Sequence, residues 1–225
     1  MAVVRLRPAD LRSALASDGT SLQYQVQVHV PSGTLAGVEA FVRWPHPLYG
    51  MVGPAEIVQL VIQGGLHVEF DAWVIRTASA QAKQWIAKGV PLPLIAVNIW
   101  DQTLRSLQLP ELVGGAEHLE LELPRGAATD PAHVSMIGSV RARGARVAAD
   151  TLPEIDVDTV KLRHPVDAPT VSAARERGVR VVAEGIESED QKAQALAAGC
   201  EIVQGYVFGP EVSASEVSAL ARPPA

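Results

Sequence analysis

From Leu94 onward the chain repeats one unit: a few apolar, strand-forming residues, then a segment with helix signals that ends at a glycine. Strands are expected over Leu94–Asn98, 119–123, 146–150, 157–162, Arg180–Glu184 and 202–206. Between them, a helix is expected near 103–109. Asp130-Pro131, Asp167 and Ser188 with Gln191 read as helix starts, and Gly144, Gly178 and Gly199 as stops. Ser213 with Glu216 opens a last helix. Such alternation requires an α/β fold with a mostly parallel sheet, and the number of elements favours a closed, TIM-like barrel over an open sheet.

The N-terminal third differs. Leu22, Tyr24, Val26, Val28 and Val30 alternate with Gln23, Gln25, Gln27 and His29, a period-two strand with one polar face. A turn at 31–34 leads into a second strand over 35–44, which sets Gly37, Glu39, Phe41 and Arg43 on one face. The chain therefore opens with a β-hairpin. Pro54 starts a short helix that Gly64-Gly65 ends. A long helix follows over 66–88, with Leu66, Phe70, Val74, Ala78, Ala82 and Trp85 as its apolar stripe.

Composition narrows the function classes. With 48% hydrophobic and 20% charged residues, 225 residues can bury a real core, and a single domain over 1–221 with a short tail at 222–225 is expected. A net charge of −6 argues against a nucleic-acid polymer as partner. Cys200 is the lone cysteine, so neither an intrachain disulfide nor a Cys-rich metal site can form. No apolar run approaches the ~20 residues of a membrane span. Arg5, Arg7, Asp10 and Arg12 stand where a secretory leader needs an apolar stretch, so a cytoplasmic location away from membranes is expected. No strand end carries a G-x-G-x-x-G or P-loop.

The strand ends carry the chemistry. Glu39, Asn98, Glu122, Asp150, Lys161, Glu184 and Gln204 each lie near the end of a strand, and in a parallel barrel these ends converge on the ligand-binding face. Four carboxylates with an asparagine form a hard-oxygen set suited to Mg²⁺ or Mn²⁺. A lysine among them suits charge stabilisation in phosphoryl chemistry.

Ordered motifs along nearly the whole chain resemble those of the EAL domain, a barrel that hydrolyses the bacterial messenger cyclic di-GMP. They are Tyr24-Gln25, GVEAFVRWPHP from Gly37 to Pro47, Gly53 to Glu56, Val97-Asn98, LELE from Leu119 to Glu122, VVAEGIE from Val181 to Glu187, and VQGYVFG from Val203 to Gly209. Phe41 stands where the family has its name-giving leucine. The resemblance implies that two divalent cations activate a water, which opens one phosphodiester to give linear pGpG. It also implies that Glu39, Asn98, Glu122 and Asp150 ligate metal, and that Lys161 and Glu184 serve catalysis, Glu184 by supporting the second metal. Gln25, Arg43 and Gln204 would bind the ligand.

The same resemblance marks departures. The family's tandem-acid motif DDFGTG here reads Asp150-Thr151-Leu152-Pro153-Glu154-Ile155, and Arg163 stands where the family has an acid. A neutral threonine replaces the second carboxylate, so one cation at most is expected. Asp150 and Lys161 are only eleven positions apart, against 20 to 28 for the other neighbouring pairs after Asn98. Six residues, 151–156, would have to return along the barrel, and extended they span at most ~20 Å. A connector without a helix follows, and with it a barrel truncated around the fifth and sixth strands. A bare apolar flank is expected there, open to a protein partner or a homodimer. The expectation is a degenerate, shortened member: an inefficient enzyme at best, acting as a cyclic di-GMP-binding or protein-interaction regulatory module. The alternative is a residual metal-dependent cyclic di-GMP phosphodiesterase.

Overall fold

A computed structural model describes residues 6–17, 19–91 and 94–221. The expected tail at 222–225 lies outside the described residues. The opening hairpin is β1 (Ser21–His29) and β2 (Thr34–His46), paired antiparallel with Gln25 opposite Glu39. Six further strands are parallel to β2: β4 (Leu94–Asn98), β5 (Leu119–Glu122), β6 (Arg146–Ala149), β7 (Thr159–Arg163), β8 (Arg180–Glu184) and β9 (Ile202–Gln204). The pairing of β9 with β1, also antiparallel, closes a mixed eight-stranded barrel. A ninth strand, β3 (Gly50–Val52), pairs only with the far end of β2 and lies outside the barrel.

Most helices sit where capping and glycine signals put them; the one expected from Asp130-Pro131 begins as a 3-10 turn (Pro131–His133) that Asp130 caps and becomes α-helical only at Val134. The main helices are α2 (Pro54–Gly64), α3 (His67–Ala87), α6 (Val134–Ala142), α7 (Ala168–Glu176), α8 (Glu189–Ala197) and α9 (Ala214–Leu220). Asp167 and Ser213 accept hydrogen bonds from the first turns of α7 and α9, and Gly65 ends α2 in the left-handed conformation. The expected helix near 103–109 is instead two single turns, α4 (Asp101–Leu104) and α5 (Leu109–Leu112). Pro110 sits in the first turn of α5, where its missing N–H costs nothing. An N-terminal helix, α1 (Pro8–Ala16), carries no strong sequence signal. Its Leu11, Ala14 and Leu15 pack against Ile57, Leu60 and Val61 of α2 and against Trp44, forming a small core beside the main one. No described helix is long and apolar enough to cross a membrane.

Close approach requires one glycine and crowds a second. A Cβ at Gly205 would fall 2.0 Å from the Ile186 carbonyl oxygen, which accepts from the Val207 N–H. A Cβ at Gly37 would fall 2.5 Å from Oε1 of Gln27, inside the barrel.

The segment between β6 and β7 has no helix, as the short spacing requires. Strand β7 starts at Thr159, two residues later than expected. The Asp158 carboxylate accepts from the Val147 N–H at 2.9 Å and holds Arg141 at 3.0 Å, and only two residue pairs, Ala148 with Thr159 and Ala149 with Val160, form the ladder. The bare apolar flank is not found. The connector covers the barrel itself: Pro153 and Val157 are buried, and Leu152 and Ile155 pack half-buried on the core. Arg177 clamps it by donating to the carbonyls of Pro153 (2.5 Å) and Ile155 (3.2 Å). The connector thus packs one apolar face on the barrel in place of a helix, so apolar surface there offers no basis for a partner. Among the described residues, the exposed large hydrophobics lie elsewhere, for example at Leu48, Met51 and Leu107.

Candidate functional site

Strand register brings the polar strand ends together. Asn98 pairs with Glu122, and Arg163 with Glu184. Glu39, Asn98, Glu122, Asp150, Lys161 and Glu184 line one cavity of about 240 Å³ at the C-terminal ends of the parallel strands.

The inner part of this cavity is one hydrogen-bonded unit. Glu39 is buried on β2. Its Oε1 accepts from Asn98 at 2.6 Å, and its Oε2 accepts from Lys161 Nζ at 2.6 Å and from Gln204 Nε2 at 2.7 Å. Lys161, also buried, donates to Glu122 Oε1 at 2.5 Å and lies 3.5 Å from Glu184. Gln204 Nε2 also reaches Gln25 Oε1 at 2.8 Å, and Gln27 donates to Gln204 Oε1 at 3.0 Å.

These contacts decide the charges. Burial pushes the Glu39 carboxyl up, but the Lys161 ammonium, with hydrogen bonds from Lys161, Gln204 and Asn98, outweighs it and holds the group below its ordinary value. Glu122 goes the other way. Burial and the neighbouring Glu39 charge push it up to about 8, against the pull of Lys161. Burial also works against the charged form of Lys161, yet Glu39, Glu122 and Glu184 raise it well above the ordinary lysine value. The unit is short of positive charge, so one carboxyl holds a proton near neutral pH. Oxygens of Glu39, Glu122 and Glu184 lie within 4.8 Å of one another, and a hard divalent cation fits that donor set and its charge deficit.

The remaining expected residues stand apart. Asp150 lines the same cavity but faces Arg125 at 3.5 Å and the Gly126 N–H at 3.4 Å, away from the three clustered carboxylates. Arg43 lies in a neighbouring cavity of about 400 Å³ with Phe41, Pro54, Phe70 and Trp100, which shares Asn98 with the first. Its guanidinium is held by Gln23 Oε1 (3.0 Å), the Val42 carbonyl (3.0 Å) and Glu211 (3.3 Å).

Below the site lies a second polar layer that the sequence reading missed. Arg180 donates to Gln27 Oε1 at 2.7 Å and stands 3.5 Å from Glu120, which also accepts from the Thr159 hydroxyl. A signal existed: Glu120 precedes Glu122 by two, and Thr159 precedes Lys161 by two, so each shares its inward face. Arg125 and Glu211 lie on loops and had no such signal.

The described fold has many counterparts. The EAL domain family model matches residues 9–154. A cyclic di-GMP phosphodiesterase of Pseudomonas aeruginosa is 34% identical over 226 residues, which cover 85% of this chain and 38% of that protein. The bifunctional diguanylate cyclase/cyclic di-GMP phosphodiesterase MucR of the same organism is 29% identical over 93% of this chain and 36% of its own length. The chain thus spans less than two-fifths of these relatives. Among solved structures, the MucR phosphodiesterase in complex with c-di-GMP superposes with a TM-score of 0.81 at 27% identity, covering 93% of this chain and 98% of that one. The FimX EAL domain of Xanthomonas citri, in complex with c-diGMP, shares the fold with a TM-score of 0.79 at 20% identity, covering 89% of this chain and 91% of that one.

Proposed function

The chain belongs to the EAL domain family, and from that premise we propose that it hydrolyses cyclic di-GMP to linear pGpG, slowly and with one divalent cation. The observation that carries this is the hydrogen-bonded unit of Glu39, Asn98, Glu122 and Lys161, with Glu39 and Lys161 buried, at the strand ends of a barrel whose relatives include cyclic di-GMP phosphodiesterases. Sequence alone put a non-catalytic module first; the relatives favour the phosphodiesterase.

Glu39 and Glu122, with Asn98 and Asp150 lining the same cavity, would hold the Mg²⁺ or Mn²⁺. The bound ion supplies Lewis-acid activation of a water. In such a hydrolysis the water oxygen would bond to phosphorus as the P–O3′ bond breaks, and one water proton would end on the leaving oxygen. Lys161, whose ammonium stays charged far above neutral pH, serves as a fixed positive charge and not as the base. Gln204, itself held by Gln25 and Gln27, holds Glu39 in place, and Gln25, Gln204 and Arg43 would border the dinucleotide.

Thr151 at the second acid position and the helix-free connector favour a degenerate, truncated site, which is why turnover should be slow. A regulatory module that binds cyclic di-GMP without cleaving it is the second reading. Incubation with cyclic di-GMP and Mn²⁺, followed by chromatography, separates the two. Linear product that disappears in Glu39→Ala is expected; tight binding without product establishes the second reading.

A further inference from the structure

We propose that Arg163 is a built-in counter-ion for Glu184, standing where a second divalent cation would otherwise neutralise that carboxylate, and that its free N–H groups receive a phosphate oxygen of the bound dinucleotide. This deepens the reading above and rests on it for the identity of the ligand.

The geometry is fixed by register. Arg163 and Glu184 are direct partners on β7 and β8, and the Arg163 Nε donates to Glu184 Oε1 at 2.8 Å. Glu184 is thereby shared between two cations, because its other oxygen lies 3.5 Å from Lys161. Arg163 is two residues beyond Lys161 and so projects from the same inward face of the strand. It lines the acidic cavity with Arg125, which stands 3.5 Å from Asp150.

Each outer carboxylate of the pocket therefore already has a guanidinium. A cation drawn to Glu184 must displace Arg163 or accept its charge at short range. The Arg163 side chain is 76% exposed at the mouth, and its two terminal nitrogens have no partner among the described residues. A planar, permanently charged fork with open N–H groups beside a pocket is suited to a phosphodiester.

The test uses opposite signs. Mn²⁺ is titrated by calorimetry into metal-free wild type, Arg163→Gln and Arg163→Lys, and cyclic di-GMP is then titrated in Ca²⁺. Circular dichroism confirms that the variants are folded, as expected for an exposed strand-end side chain. Arg163→Gln should bind Mn²⁺ at least fivefold more tightly, or take up a second ion. The same variant should lose at least fivefold in affinity for the dinucleotide, and Arg163→Lys should fall between. Unchanged Mn²⁺ affinity and stoichiometry in Arg163→Gln overturns the proposal, as does uptake of two ions by wild type or of none by either protein. Wild type that takes up Mn²⁺ but neither binds nor cleaves cyclic di-GMP sinks the functional reading instead; the Mn²⁺ titration still decides whether Arg163 acts as counter-ion.

Discussion

The inner wall of the pocket and its rim use the same residue types, acids beside bases, and hold them differently. Inside, Glu39 and Lys161 are buried, and Glu39 is fixed by three side-chain donors. At the rim, Asp150 and Glu184 face Arg125 and Arg163, whose side chains are 80% and 76% exposed. Solvent screens the rim pairs, and each contributes little to stability. Inside, removing one partner strands a charge away from water. The wall is therefore part of the fold, whereas the rim can change without cost to it.

A third carboxylate calibrates the contrast. Asp71 of α3 is as buried as Glu39 and accepts from the Trp100 N–H at 2.7 Å, but it has no ammonium beside it. Burial pushes it up to about 7, while Glu39 lies below its ordinary value. The opposite directions show how the Lys161 charge, with the Gln204 and Asn98 hydrogen bonds, overcomes burial at Glu39.

The largest effect is expected at Lys161. Lys161→Met leaves Glu39 and Glu122 without their shared cation and should cost about 3–5 kcal/mol at pH 8, read from urea denaturation. The loss should shrink toward pH 5 as the carboxyls protonate; a variant as stable as wild type at pH 8 would erase the distinction between wall and rim.

Asp71→Asn should act next. A carboxyl raised when folded contributes stability that is present at low pH and is lost as pH rises through about 7. The variant should gain roughly 1–3 kcal/mol on wild type between pH 5 and pH 8. Parallel stability curves for the two proteins would refute the shift.

Glu122 gives a smaller signal. With its carboxyl at about 8, Mn²⁺ uptake at pH 7 should displace close to one proton, and affinity should climb up to about tenfold per pH unit between 6 and 8. The dependence of the calorimetric heat on buffer ionisation reports that proton.

The smallest structural effect belongs to the rim. Asp150→Asn should shift stability by less than about 0.5 kcal/mol while lowering turnover at least tenfold. A large loss of stability would show that the rim, too, is built into the fold.

Much of this was legible in the chain. Period-two alternation, caps and glycine stops located all eight barrel strands to within two residues, because those signals are local. The last strand was placed two residues too long, since the chain leaves the ladder at Gly205 to pass close over Ile186. Helix α1 escaped notice because its stability comes from packing on α2 and Trp44, not from its own pattern. The short Asp150–Lys161 spacing announced a helix-free connector, but only the folded chain could show Pro153 and Val157 turned inward to cover the flank.

By itself, the sequence determined the barrel, its polar strand ends and the identity of the acids and bases among them. Residue order sets alternation, and alternation sets which side chains face inward. The tertiary structure alone decided who neutralises whom: Lys161 shared by Glu39 and Glu122, Arg163 claimed by Glu184, Arg43 drawn to Glu211. Those pairs join residues as much as 168 positions apart. Their charge states follow from distance and burial, quantities that exist only once the barrel has closed.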